Sequence, residues 1–206
     1  SRASWEDLQD PEQSFRTCQD ILVHLQNKAG KLAGIGLTGQ MHGILYADAE
    51  GHPISPLFTW QDGRGNLPYQ EGQTYSEYLT ARTGCRMATG FGLTTHLYNL
   101  KQGLVPQGAK SICTIADAVA MRFCELSAPV MHASLAHSLG LFDLEAGQFD
   151  AEALHAVDIP NEILPQVTSD EVQIGQTPEG VPVCIPIGDN QASFLGALEP
   201  GARVLV

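Results

Sequence analysis

Apolar and polar residues along the chain follow two rhythms, and the points where one gives way to the other divide it into elements. Phe15, Cys18, Leu22 and Leu25 recur at helical spacing, which puts them on one face of a helix. Asp10-Pro11-Glu12-Gln13 marks its start, with a capping residue, a first-turn proline and a Gln three positions after the cap; Gly30 ends it. Residues 33–37, Ala-Gly-Ile-Gly-Leu, are short and alternating and read as a strand. Residues 43–48 read as a second strand, Glu50-Gly51 as a turn, and 57–60 as a third strand running into Gln61-Asp62-Gly63-Arg64.

Helical spacing returns over 75–83 and 94–102, with 84–92 between them. Residues 111–115 read as a strand feeding a helix over 117–124, and 139–144 as another strand before the turn Glu145-Ala146-Gly147. Strand 181–187, the turn Gly188-Asp189-Asn190, a short helix over 191–198 and the beginning of a strand over 202–206 complete the pattern. Alternation of strand and helix predicts an α/β layered domain. No linker, low-complexity tract or internal repeat interrupts the sequence, so a single domain over residues 1–206 is expected.

With 206 residues, 43% of them hydrophobic, the chain has enough apolar material for a packed core. Lys and Arg number 11 against 23 Asp and Glu, a formal charge of -12 with no basic cluster. A nucleic-acid backbone or an anionic membrane surface would be repelled, and a small neutral ligand suits the chain better. The longest apolar runs, 112–119 and 181–187, stop well short of the roughly 20 residues of a membrane span, and no signal peptide is expected from the opening residues. Cys18, Cys85, Cys113, Cys124 and Cys184 are odd in number and lack CxxC spacing. They read as core-type free thiols in a reducing compartment, the cytoplasm.

Gly34-Ile35-Gly36-Leu37-Thr38-Gly39 spells GxGxxG, the dinucleotide-binding pattern. That pattern works only where its glycines open a helix, so that backbone N–H groups meet the pyrophosphate. Here they follow a helix and lie within a strand, and strand residues continue after them, so the pattern is rejected. No Walker-type phosphate loop occurs either.

Three polar groups stand where strands are expected to end: Thr38-Gly39-Gln40-Met41-His42-Gly43, Trp60-Gln61-Asp62-Gly63-Arg64 and Gly188-Asp189-Asn190-Gln191-Ala192-Ser193. In α/β sheets ligands bind in the crevice beyond strand ends. Carboxylates, amides and an imidazole together can pair with the donors and acceptors of a polyhydroxy compound. Each residue also has a commonplace role. Asp189 or Asn190 can be a helix cap, Asp62-Gly63 a turn, His42 a hydrogen-bonded core histidine and Met41 a packing residue. Trp60 suits either the domain core or a pocket wall. His132 and His137 lie five apart without an HExxH-type carboxylate, so no metal site is expected.

The three groups, in this order and at these separations, resemble the FGGY family of carbohydrate kinases. Thr59-Trp60-Gln61-Asp62-Gly63-Arg64, Ala88-Thr89-Gly90-Phe91-Gly92 and Gly188-Asp189 followed by Gln191-Ala192-Ser193 are most similar to its sedoheptulokinase-like branch. The resemblance covers nearly the whole chain. It implies a ribonuclease-H-like, actin-like domain, a mixed sheet flanked by helices, that binds the sugar and faces a nucleotide domain. Carried over by position, Asp189 would accept the proton of the attacking hydroxyl. Met41, His42, Asp62 and Asn190 would line the sugar pocket, with Gln40 and Trp60 beside them.

Family members begin with a strand and turn carrying an Asp-Gly-Thr-Thr type phosphate loop and end in a domain with glycine-rich nucleotide loops. This sequence shows neither, so ATP and Mg2+ are expected to be held by segments outside it. Residues 131–136, Met-His-Ala-Ser-Leu-Ala, also depart from the family's acid and amide at Ala133 and Leu135. The expected activity is ATP-dependent phosphorylation of a ketose such as sedoheptulose or xylulose. The alternatives are a non-catalytic sugar-binding module and an actin-like ATPase. Expected partners are a small-molecule sugar and, at most, a second copy of the chain.

Overall fold

In a computed structural model the described residues are 3–198. The first long helix, α1 (Pro11–Ala29), begins where Asp10 accepts a hydrogen bond from the Glu12 amide and ends at Gly30 with φ 75°. Between β1 (Leu8–Gln9) and α2 (Tyr75–Thr83), α1 is followed by β2 (Thr38–Gly39), β3 (Leu45–Ala47) and β4 (Leu57–Phe58). Then come α3 (Gly92–Lys101), β5 (Ser111–Cys113), α4 (Ile115–Cys124), β6 (Val130–His132), α5 (Ala133–Leu139), β7 (Phe142–Asp143) and β8 (Gln148–Phe149). Last are α6 (Ala151–Ala156), β9 (Gln166–Thr168), β10 (Gln173–Gln176), β11 (Pro182–Cys184), β12 (Ile187–Gly188) and α7 (Asp189–Ala197).

The strands are short and pair in both senses. β1 runs antiparallel to β4, Ile44 bridges Phe58, and β3 runs antiparallel to β5, which makes one antiparallel patch. β2 runs parallel to β12, and β6 parallel to β9. Alternation along β3 sorts the core, since successive side chains point to opposite faces. Ile44 and Tyr46 join Leu79, Leu93, Leu97, Leu135 and Leu139, whereas Leu45 and Ala47 join Leu57, Cys113 and Met121 on the other side. A third cluster packs Phe15, Cys18 and Leu22 of α1 against Ile35, Val119, Phe123 and Val183. This is the α/β layering the pattern predicts.

Several elements differ from expectation. Over 33–37 only Ile35 pairs, bridging Val183, and the strand proper begins at Thr38. Its partner, expected as one strand over 181–187, is split into β11 and β12. Pro186 has no N–H to donate, and three residues separate Val183 from Ile187 where two separate Ile35 from Thr38, so the extra residue bulges. Of residues 139–144, expected as one strand, only Phe142–Asp143 pair, as β7, and Leu139 closes α5. Leu135, Ala136 and Leu139 lie at helical spacing and are buried in α5, which the His132 imidazole caps in place of the usual short polar side chain. Leu25 is exposed, and Trp60, expected in the core or at a pocket wall, is 52% exposed. All five thiols are free; Cys113 is buried but Cys184 is exposed. The expected strand over 202–206 lies outside the described residues. No described helix is long and apolar enough to cross a membrane.

Two buried titratable groups in this core oppose each other. Burial pushes the Asp117 carboxyl up to about 7, against two hydrogen bonds from Thr114; its Oδ1 has no partner. Burial brings the His96 imidazole down to about 4; its Nδ1 meets the Tyr46 hydroxyl at 2.9 Å, and Nε2 has no partner. Between pH about 4 and 6.5 the folded chain keeps an Asp117 proton that the unfolded chain has released, so this group makes stability fall as pH rises. Over the same interval the unfolded chain holds a His96 proton that the folded chain lacks, which makes stability rise. The slopes, each at most about 1.4 kcal/mol per pH unit, cancel there. Asp117→Asn should therefore reveal a stability that climbs from pH 4 to 6.5, and His96→Asn one that declines. Urea midpoints measured at half-unit pH steps read both.

Candidate functional site

Two of the three polar groups leave adjacent strands at the same end. In the β2–β12 pair, Thr38 faces Ile187 and Gly39 faces Gly188. Gln40-Met41-His42 and Asp189-Asn190 therefore emerge side by side from strands separated by about 4.8 Å. A Cβ on Gly188 would lie 2.8 Å from Met41 Sδ and 2.5 Å from Gln191 Oε1, so glycine there is what lets Met41 lie on the turn. Gly188 occupies the cap position of α7 and Asp189 is the first helical residue, so neither Asp189 nor Asn190 is the cap. Both are exposed. Asp189 Oδ1 accepts from the Asn190 amide at 2.9 Å, and Oδ2 carries no hydrogen bond among the described residues.

His42 sits in a strained turn. Its φ is 70°, and the Gly43 amide donates to the Met41 carbonyl at 2.8 Å, which closes a three-residue γ-turn around it. Such a conformation costs of order 1–3 kcal/mol and persists only when its surroundings impose it. Here the His42 amide donates to Ser138 Oγ at 3.0 Å, Nδ1 lies 2.7 Å from the Ser138 carbonyl, and the ring stacks on Phe91 with centroids 4.7 Å apart and planes 10° from parallel. A carbonyl only accepts, so Nδ1 carries the proton and the Nε2 of the neutral ring is an acceptor.

The second polar group plays a different part. Asp62 is fully buried and Arg64 nearly so. Arg64 Nε donates to Asp62 Oδ1 at 2.6 Å and Nη2 to Oδ2 at 3.1 Å; the Asp7 amide also donates to Oδ2, at 3.2 Å. The guanidinium lies over the rings of Phe58, Tyr98 and Trp5 at 4.2, 5.3 and 5.6 Å. Nη1 donates to Asn99 Oδ1, whose amide nitrogen donates to the Tyr46 hydroxyl at 3.1 Å. Residues 88–92 connect this hub to the His42 turn. Thr89 donates to the Asp62 carbonyl at 3.0 Å, and Phe91 stacks on His42. Gly90, with φ 81°, passes so close to the Trp60 carbonyl that a Cβ would sit 2.0 Å from it.

Residues 2–196 match the model of the FGGY family of carbohydrate kinases, N-terminal domain. The chain belongs to that family. It is 32% identical to sedoheptulokinase of Mus musculus over 211 residues, an alignment taking in 90% of this chain and 42% of that protein. Its fold matches that of a xylulose kinase from Rhodospirillum rubrum with a TM-score of 0.78 at 22% identity, over 98% of this chain and 45% of the other. It also matches Plasmodium falciparum glycerol kinase solved with ADP, with a TM-score of 0.74 at 19% identity, over 96% of this chain and 43% of that one. The FGGY domain described here thus spans less than half the length of these relatives, and its fold is the actin-like one that the resemblance implies.

Of the residues predicted for the site, this FGGY domain brings Met41, His42, Asp189 and Asn190 together. It does not bring Asp62, whose carboxylate is enclosed by Arg64 and the Asp7 amide and has no exposed surface. The Gln40 side chain donates to Gln9 at 3.1 Å, toward β1. The Trp60 side chain is exposed, and its carbonyl is the group that Gly90 accommodates. Sequence reasoning missed Ser138 and Ser134, which hold the two loops, because α5 itself was not predicted. It also gave Phe91 no role. Asp62→Asn would leave the guanidinium buried without a counter-charge and should lower stability by roughly 3–5 kcal/mol. Trp60→Ala, which removes a half-exposed ring, should cost less, about 1–2 kcal/mol. Urea unfolding of the two variants side by side reads the difference.

Proposed function

We propose that this domain binds a polyhydroxy sugar at the paired ends of β2 and β12, in a polypeptide that transfers a phosphoryl group from ATP to one of the sugar's hydroxyls. The observation that carries this reading is the parallel register of Thr38 with Ile187 and Gly39 with Gly188, which delivers Met41-His42 and Asp189-Asn190 to one place. The identity to a sedoheptulokinase supports a ketose such as sedoheptulose, and the fold shared with xylulose kinases makes xylulose the next candidate. Five free thiols agree with a reducing, cytoplasmic setting.

Asp189 is the base in this reading. Its Oδ1 is held by the Asn190 amide, and Oδ2 is left to orient the attacking hydroxyl. Phosphoryl transfer passes through a loose transition state, so placing the hydroxyl and taking its proton late is what a carboxylate must do. His42 Nε2 accepts from a second hydroxyl, because Ser138 fixes the ring's other nitrogen as the donor. The Asn190 side chain supplies a donor and an acceptor, and Met41 gives an apolar floor beside Gly188. ATP, carried with Mg2+, would supply the phosphoryl group. Among the described residues no three His, Cys, Asp or Glu side chains gather as a metal site, and no step is drawn through the metal.

The test is ADP formation by the full-length polypeptide that carries this domain, across a panel of ketoses and polyols. A ketose should be turned over, and Asp189→Asn should lower kcat by about 10²- to 10⁴-fold with sugar affinity changed only a few-fold. No turnover of any panel member, or an unchanged kcat in Asp189→Asn, would overturn the reading.

A further inference from the structure

The α7 helix begins at Asp189 with no side chain capping it, so the direction of its first turn depends on how the Gly188 backbone is held. One hydroxyl reaches that backbone from another element: the Gly188 amide donates to Ser134 Oγ at 3.3 Å. The same hydroxyl lies 2.8 Å from His132 Nδ1, and the Ser134 amide donates to that nitrogen at 3.2 Å. A nitrogen that accepts the amide proton bears none of its own. The Ser134 hydroxyl therefore donates to His132, and its lone pairs remain for Gly188. His132 thus fixes the polarity of the contact as well as capping α5.

Ser134 and Ser138 are four residues apart on α5, one helical turn of about 5.4 Å. Ser134 holds the turn that carries Asp189, and Ser138 holds the turn that carries His42. Helix α5 consequently sets the spacing between the two loops with two hydroxyls on one face.

We propose that Ser134, oriented by His132, is a positioning residue for the Asp189 carboxylate. This rests on the reading of Asp189 as the base. Ser134 makes no contact with Asp189 itself and acts through the Gly188 amide. Without the hydroxyl the amide is released and the start of α7 can swing, and a displacement of about 1 Å at a reacting group can lower a rate by up to 10²-fold. Sugar binding through His42 and Met41 is supported separately by Ser138 and changes little.

The experiment is a double-mutant cycle in the full-length polypeptide, with kcat and sugar KM measured for wild type, Ser134→Ala, Asp189→Asn and the double variant, and with His132→Ala alongside. Ser134→Ala should lower kcat about tenfold with KM within twofold, and Ser134→Thr, which keeps the hydroxyl, should recover most of the loss. His132→Ala should lower kcat in the same direction while leaving Ser134 in place, which covers the case of a poorly folding Ser134→Ala. The double variant should be no slower than Asp189→Asn, since the serine acts only through that carboxylate. An inactive Asp189→Asn together with wild-type kcat in Ser134→Ala and His132→Ala would overturn the positioning role and leave the base assignment standing. Additive losses in the double variant would overturn it too. An Asp189→Asn variant with full activity would remove the base assignment, and the positioning role with it.

Discussion

Arg64 places a full positive charge inside the domain, and much of the surrounding structure is arranged to make that tolerable. Removing two opposite charges from water carries a penalty of several kcal/mol per ion even after relaxation. Asp62 neutralises the guanidinium through two parallel hydrogen bonds, and three aromatic faces enclose it. Asn99 takes the remaining edge and extends the polar chain to Tyr46 and His96. These partners come from the N-terminal segment, from β3 and β4, and from α3, so none of those elements can shift without exposing part of the pair. In this arrangement the Asp62 carboxylate and the Arg64 guanidinium are taken up with each other. The hub makes a rigid base from which residues 88–92 reach to the His42 turn.

The site built on that base combines strain with redundancy. His42 holds a backbone conformation that few non-glycine residues adopt. Two contacts to Ser138 and the Phe91 ring hold it there, and they also fix which ring nitrogen is the donor. Strain at this point serves pre-organisation: the ring needs no reorientation when a ligand arrives, and ordering entropy need not be lost at that moment. Asp189 is treated differently. It is exposed at the start of a helix with no buried residues, and its placement depends on one serine and one backbone pairing.

Much of this is legible in the sequence. The cap and helical face of α1, the 75–83 helix and the rejection of the GxGxxG pattern all follow from local spacing and residue chemistry, and local physics decided them. Asp62 was misplaced because Asp-Gly-x at a strand end looks alike whether the carboxylate faces a ligand or a buried arginine. Only the aromatic residues at 5, 58 and 98, distant in sequence, settle the matter. Helix α5 escaped because its cap is a histidine and it is only seven residues long. Ser134 and Ser138 could not be assigned roles while the helix that aligns them was unseen. What the sequence hid were the non-local pairings, which leave no periodic trace.

The β2–β12 register has a consequence for how the domain is assembled. It joins segments separated by roughly 150 residues, so the entropy of closing that loop must be overcome before the contact gives anything back. The antiparallel patch and the helices form from nearer neighbours and can precede it. The end of the domain proposed to bind sugar is thus a late product of folding, and a chain emerging from the ribosome can have its first two core clusters in hand before Asp189 has a place to stand. With no buried residue in α7, it is also a low-stability part of the folded domain. Hydrogen exchange at Gly188 should then be fast relative to Leu45 or Cys113, and a sugar bound where we propose would act first of all as the staple that closes a loop of roughly 150 residues.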